Sequence, residues 1–242
     1  MVSLETKIRT VIFFIVWAIC SVIYCSLIIL ALLLPYKYRH RFACGWASLS
    51  IYLAKIICKL NWQVSGAENL PQGDKAGILA VNHQSTWETL FMPHILPKQI
   101  WVLKRELLLV PFFGWAMATL RPIAINRKSG RKAMAQVAIL GKKKINSGYS
   151  LVIFPEGHRY PYDCPLKFKS GAAYLANVMK MPVIPIAHNA GMFWARGGWI
   201  KAGTIKIRIG KEISSAGKSI DKLNAELENW VRTNRDEIVK QA

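Results

Sequence analysis

The sequence predicts an α/β protein, a largely parallel mixed sheet flanked by helices, with an N-terminal membrane helix. Three observations carry that expectation. From about residue 62 short apolar runs alternate with helix-like segments, residues 11–34 form an uncharged apolar run, and a chain that is 52% hydrophobic still carries a net charge of +20. Strands that alternate with helices are the pattern of layered α/β folds with parallel strands.

The elements follow in chain order. Residues 11–34, VIFFIVWAICSVIYCSLIILALLL, contain no charged side chain. At about 1.5 Å of rise per residue, a helix of that length crosses a hydrocarbon core of roughly 30 Å with some tilt. A cleaved signal peptide has an apolar region of only about 7–15 residues and a small-residue cleavage site, so the run reads as a retained membrane helix. Lys37, Arg39 and Arg41 follow it with no acidic residue among them. The positive-inside bias then puts the following domain on the cytoplasmic side, as in an inner or cytoplasmic membrane, although Lys7 and Arg9 ahead of the run pull the other way. Phe42 to Leu60 is less apolar and carries Lys55 and Lys59. A second membrane helix, an interfacial helix and a core helix all fit. The interfacial reading is preferred because the two lysines lie one turn apart and would face headgroups. Residues 1–60 are therefore assigned to the anchor and interfacial helix, and 61–242 to the α/β domain.

Within that domain Gly77–Val81, Gln99–Leu103, Pro122–Ile125, Ser150–Phe154 and Val183–Ala187 read as buried strands. Glu88–Leu96, Gly130–Asn146 and Gly171–Lys180 read as helices between them. Thr204–Ile209 alternates strictly and belongs near a sheet edge. The tail from Ser219 to Lys240 has helical spacing at Leu223, Leu227, Trp230 and Val231.

The charge comes from 33 Lys and Arg against 13 Asp and Glu. So basic a chain meets nucleic acid, an anionic membrane surface or a phosphorylated substrate. The high apolar content favours the membrane, and no nucleic acid is expected. Cys20, Cys25, Cys44, Cys58 and Cys164 include no Cys-x-x-Cys pair. They read as small apolar fillers or free thiols, with neither a disulfide framework nor a metal site.

In sheets of this kind ligands gather beyond the carboxyl ends of the strands. Three polar clusters fall there: Asn82-His83, Asn126-Arg127, and Pro155-Glu156-Gly157-His158-Arg159. Within VNHQSTWETL, Ser85 and Glu88 fit a capping box, in which a hydroxyl and a carboxylate close the first turn of a helix. Glu88 also fits as the anion that orients a histidine base, His83. Five residues apart on a straight helix, the two would sit about 140° apart, so they meet only if His83 lies in the loop before the helix. Both readings place Glu88 on the first turn. In FPEGHR, Gly157 lets the backbone approach a ligand and Arg159 can fork onto a phosphate; a strand-ending turn with an exposed ion pair accounts for the same residues. The stretch LKRELLLVPFFGW joins Lys104 and Arg105 to a long apolar segment, as an anion site beside an apolar chain or as an amphipathic connection, and locally the connection is the better account.

Taken together and in order, VNHQSTWE, LKRELLLVPFFGWAM, PIAINR, FPEGHR with FKSGA, and VIPIA resemble the motifs of the 1-acylglycerol-3-phosphate acyltransferases within the glycerolipid acyltransferase family. The resemblance spans roughly residues 60–190 and implies that family's fold. It implies His83 as general base with Glu88 as its acidic partner. It implies Arg159, with Glu156 and Gly157, in the site for the glycerol phosphate, and Lys104 and Arg127 as basic positions suited to phosphate. Val183–Ala187 resembles the last motif, which shapes the core and acyl pocket. The chain departs from the family pattern at Glu88, where Asp is usual, at Asn126, where Asp is usual, and at His158, where Thr is usual. These departures bear on acceptor specificity more than on reaction class.

The implied reaction moves an acyl group from an acyl-CoA or acyl-carrier-protein thioester to the sn-2 hydroxyl of lysophosphatidate in the membrane. The product is phosphatidic acid for phospholipid synthesis, and no metal or redox cofactor is expected. Another lysolipid, or glycerol phosphate itself, is the alternative acceptor. A non-catalytic basic membrane protein that binds anionic lipid or nucleic acid explains the charge and anchor but leaves the ordered motifs as coincidence.

Overall fold

The structure, a computed structural model, describes residues 2–126 and 129–241, apart from the side chain of Arg131. Arg127, expected at the phosphate site, lies outside the described residues.

The uncharged run folds as α1 (Leu4–Leu30), capped by Ser3, whose hydroxyl accepts the Thr6 N–H. A short 3-10 turn (Ala31–Leu33) and Pro35 lead into α2 (Tyr36–Cys58). An 18-residue stretch of the first helix reaches a mean hydropathy of 2.7, and the best stretch of α2 reaches 1.2. Both are long and apolar enough to cross a membrane. α2 starts before the expected Phe42, and Ala43, Ala47, Ile51, Ala54 and Cys58 form a buried stripe along it. That stripe packs on α1 and on α3 (Trp87–Ile95), so one side of the segment expected to be interfacial is core. Lys59 has left the helix in a left-handed conformation, φ 55°. Lys55 and Lys59 therefore do not share a helical face, which corrects the expectation drawn from their spacing.

Six strands form the main sheet: β1 (Leu60–Ser65), β2 (Ile78–Val81), β3 (Gln99–Ile100), β6 (Ser150–Ile153), β7 (Val183–His188) and β8 (Gly203–Ile209). Their order is β1-β8-β7-β2-β6-β3. All neighbours are parallel except β7 and β8, so the sheet is mixed and largely parallel. The strictly alternating β8 lies one place in from the edge, which β1 occupies. Gln99–Leu103 is not one strand: after Trp101 the chain leaves the main sheet, and β4 (Val102–Lys104) pairs with β5 (Ile123–Ile125) in a separate two-stranded sheet.

Side chains of a strand alternate between faces, and both faces here are covered. Ile78, Ala80, Leu151, Ile153, Val183 and Ala187 point into one core with α5 (Gly130–Ile145), α6 (Gly171–Met179) and α8 (Ile220–Lys240). Leu79, Val81, Val152, Ile184 and Ile186 point into the other, with Ile51 and Ala54 of α2, Trp87 and Phe91 of α3, and Phe13 of α1. Covered on both faces, the parallel strands read as continuous apolar runs. The remaining helices are α4 (Phe113–Thr119) against α1, and the single turn α7 (Ala190–Phe193). Along α8, Leu223, Leu227 and Val231 are fully buried, as their spacing predicts.

Candidate active site

Three adjacent strands, β7, β2 and β6, end side by side, and each ending supplies part of one buried polar cluster. After β2 the chain turns through Asn82 and His83 before entering α3, so His83 is a loop residue and Glu88 sits on the first helical turn. Their side chains meet: His83 Nδ1 lies 2.8 Å from Glu88 Oε1, with His83 6% and Glu88 1% exposed. The same oxygen accepts the Gln84 N–H at 2.8 Å and the Ser85 N–H at 2.7 Å. Oε2 is buried with no hydrogen-bond partner among the described residues.

Half of a capping box is thus present. Glu88 reaches back to the Ser85 N–H as such a box requires, while the Ser85 hydroxyl accepts from Trp87 N–H at 3.1 Å. The contact a capping box needs and the contact with His83 fall on one oxygen. Burial alone would raise the Glu88 carboxyl. His188, the His83 hydrogen bond and the Ser85 N–H together hold it below the ordinary glutamate range. Burial lowers the His188 imidazole in turn. An ionised carboxylate only accepts, so His83 presents an N–H at Nδ1, and in the neutral ring the lone pair lies at Nε2.

His83 is held from three sides. Its N–H donates to both Glu156 oxygens, at 3.1 and 2.9 Å, and its carbonyl accepts the Tyr160 N–H at 3.0 Å. Phe154, the residue after β6, stacks on the imidazole with centroids 4.2 Å apart. One residue before His83, the Asn82 side chain donates to the His188 carbonyl at 3.0 Å and accepts the His188 N–H at 2.9 Å. The His188 ring is fixed in turn: Nδ1 accepts the Ala190 N–H at 3.2 Å, so Nε2–H donates to the Asn82 carbonyl at 2.7 Å. Gln84 Oε1 accepts the Gly191 N–H at 3.1 Å.

The other expected residues distribute as follows. Glu156 is 2% exposed and turned toward His83 rather than outward, and burial pushes its carboxyl up to about 8. Gly157 closes a turn with its N–H on the Phe154 carbonyl at 3.0 Å and holds φ +78°. A Cβ there would sit 3.2 Å from Lys169 Nζ, so only glycine leaves both the backbone and that cation in place. Arg159 is half-buried on the same loop, next to the Tyr160 that holds His83. His158 is exposed and packs on Tyr160, with ring centroids 4.1 Å apart. Lys104 ends β4 in the small sheet, half-exposed, its Nζ 3.8 Å from Glu106. Asn126 follows β5 of that same sheet, so the cluster that it opens does not follow a strand of the main sheet. Beside Phe154 opens a cavity of about 810 Å³, with Val137, Val152 and Tyr174 in its walls and Gly157, Lys169 and Ser170 among the residues lining it.

Sequence reasoning did not single out His188, Phe154 or Lys169 as parts of the site. Phe154 and Lys169 lie inside quoted motifs, and His188 follows VIPIA directly, so their places in the sequence were the available signal. Chemically the cluster can accept a proton at Nε2 of His83, stabilise the resulting imidazolium with one buried carboxylate, and present a lysine beside an apolar cavity.

A family model described as Acyltransferase matches residues 61–189. The 1-acyl-sn-glycerol-3-phosphate acyltransferase of Pseudomonas aeruginosa is 40% identical over 98% of this chain and 93% of that protein. The yeast enzyme of the same name, from Saccharomyces cerevisiae, is 30% identical over 71% of this chain and 58% of its own length. Among solved structures, the 1-acyl-sn-glycerophosphate (LPA) acyltransferase PlsC from Thermotoga maritima superposes with a TM-score of 0.79, covering 96% of this chain and 97% of that one, at 20% identity. That last likeness speaks for the fold.

Proposed function

Because this chain belongs to the acyltransferase family, we propose that it acylates the sn-2 hydroxyl of 1-acylglycerol-3-phosphate, drawing the acyl group from a thioester and giving phosphatidic acid. The observation that carries the reading is the buried 2.8 Å contact between His83 Nδ1 and Glu88 Oε1, which leaves Nε2 as the acceptor. The 40% identical relative supports the acceptor.

In the proposed reaction His83 Nε2 takes the proton of the sn-2 hydroxyl as that oxygen attacks the thioester carbonyl. The new C–O bond gives a tetrahedral intermediate, and Glu88 stabilises the imidazolium that forms beside it. Collapse breaks the C–S bond, and the departing sulfur recovers the proton from His83. No covalent acyl-enzyme is required, and Ser85, engaged with the Trp87 N–H, is not assigned as a nucleophile.

Glu156 is read as a positioning residue. A buried carboxyl that accepts the His83 N–H does not offer a phosphate anything but repulsion when ionised. Arg159, with Lys104, Lys169 and Arg127, is the cationic set proposed for the phosphate, where guanidinium forks and ammonium groups suit its oxygens. The cavity beside Phe154 has the apolar walls an acyl chain needs. The catalytic domain is proposed to work at the cytoplasmic face of its membrane, against lipid that its own helices share.

Purified protein tests the reading in a matrix of donors, acyl-CoA and acyl carrier protein, against acceptors, lysophosphatidate, other lysolipids and glycerol phosphate. Thiol release that requires both a thioester and lysophosphatidate, and that disappears in His83→Ala, is the expected result. Turnover that survives in His83→Ala, or that ignores lysophosphatidate in favour of another acceptor, overturns it.

A further inference from the structure

From Leu107 to Leu120 the chain reads LLLVPFFGWAMATL, without a charged residue. The segment forms the end of a 3-10 turn (Arg105–Leu109) and then α4, and it has two sides. Inward, Leu108, Phe113, Ala116, Met117 and Leu120 close on Cys25 and Ile28 of α1. Outward, Leu109 is 79% exposed, Val110 42%, Phe112 43% and Trp115 53%. Phe112 stands just before α4 and Trp115 on its first turn, and their rings pack together with centroids 5.5 Å apart. A helix on the surface of a globular protein normally presents charged and polar residues outward. Phe112 also holds φ 58° and ψ −62°, a strained conformation for a residue with a side chain, while its ring stays exposed.

Two further features say what covers this surface. Exposed cations bracket it, Lys104 and Arg105 before and Arg121 after. α4 also packs on α1 at Cys25 and Ile28, and the outer side of α1 exposes Ile19, Val22, Ile23 and Leu27. An apolar centre with basic flanks suits the boundary of an anionic bilayer, where apolar side chains enter the acyl region and cations meet headgroups.

We propose that Leu109–Trp115 is a third membrane contact, a short apolar wedge that dips into an anionic bilayer beside α1. It enters the boundary without crossing. The bilayer, rather than a second copy or a carrier protein, is its partner, because the surface continues the exposed side of α1 and is bracketed by cations. The wedge would hold Lys104, at the end of β4, at headgroup level. It does not depend on which lysolipid is acylated.

The test places full-length protein in vesicles of phosphatidylethanolamine and phosphatidylglycerol that contain a phospholipid with a photoactivatable acyl chain. Mass spectrometry then locates the labelled residues. Label is expected within 107–115 as well as in α1. A triple variant, Leu109→Gln, Phe112→Gln and Trp115→Gln, alters only exposed side chains, and a melting curve checks that it folds. Its label in 107–115 should fall about tenfold or more, since three large apolar side chains no longer gain from burial in lipid, while label in α1 persists. Turnover on vesicle-embedded lysophosphatidate should fall, and turnover on a short-chain, water-soluble lysophosphatidate should not. Label confined to α1 and α2 overturns the proposal, as do crosslinks between protein copies through 107–115 in place of lipid label. Lipid label in the wedge without acyl transfer to any acceptor supports the wedge and counts against the proposed reaction instead.

Discussion

Replacing Glu88 by Gln removes one charge and little else. Oε1 of Glu88 accepts from His83 Nδ1, Gln84 N–H and Ser85 N–H at 2.8, 2.8 and 2.7 Å. Two of those donors are main-chain groups that cannot become acceptors. They select the amide oxygen of the new side chain for that position and send its NH₂ to the place of Oε2, which has no hydrogen-bond partner among the described residues. His83 then keeps its proton on Nδ1, so the variant does not act by exchanging the tautomer. The attraction between the carboxylate and the imidazolium is what it loses. With charge centres about 4 Å apart and an effective dielectric constant of about 20, that attraction is about 4 kcal/mol. It acts only once the proton has moved, so kcat should fall about 10³-fold with KM little changed. The assay follows thiol release in mixed micelles at varied lysophosphatidate, beside a thermal melt of the same preparation. A folded variant with kcat within tenfold of the parent would refute the reasoning, because the charge would then have no part in turnover. A variant that no longer melts cooperatively would show Glu88 to be a structural cap above all.

Three further outcomes are expected. Glu156→Gln keeps an acceptor for the His83 N–H and removes the acid that burial raises from 4.5 to about 8; between those values the native protein holds a proton that the unfolded chain has released, so parental stability falls as pH rises through that window. The unfolding free energy of Glu156→Gln, read by denaturant titration, should gain on the parent from pH 5 to pH 8.5, by an amount on the order of 4 kcal/mol at the top, and parallel curves would sink the assignment. Asn82→Ala leaves the His188 N–H and carbonyl without their partners in a fully buried site and should cost about 2–5 kcal/mol of stability, read by denaturant unfolding in detergent. Gly157→Ala forces a side chain into φ +78° beside Lys169 and should lower acyl transfer, chiefly through KM for the phosphate-bearing acceptor; an unchanged KM would separate this turn from phosphate binding.

Which parts of this molecule the sequence discloses follows from range. Each strand buried on both faces announces itself locally, as Ile78–Val81 and Ser150–Ile153 do. The helices from Trp87, Gly130, Gly171 and Ile220 carry their own periodicity. β1 does not show: Leu60, Trp62 and Val64 alternate with Asn61, Gln63 and Ser65 directly after an apolar helix, and only the left-handed Lys59 separates the two periods. The break at Trp101 is also invisible, since QIWVL is one apolar run and the change of partner from β6 to β5 is a tertiary event. In the site, His83 and Glu88 are legible because they stand five residues apart. The contact between Glu156 and the His83 N–H spans 73 positions, and the Asn82–His188 pair spans 106. No local pattern encodes such distances.

The pairing of β1 with β8 has a consequence for how the chain is made. Ser65 Oγ donates to the Ile207 carbonyl across 142 positions, and β1 leaves α2 almost without a linker. During synthesis the two apolar helices and β1 emerge ahead of the other strands, and β1 waits on the growing chain until residues 203–209 have left the ribosome. Long-range parallel pairing is slow to form, and an unpaired strand edge invites other strands. The nascent protein therefore carries β1 as an unpaired strand while the strands between are made, and its yield in a cell should depend on how quickly residues 203–209 follow.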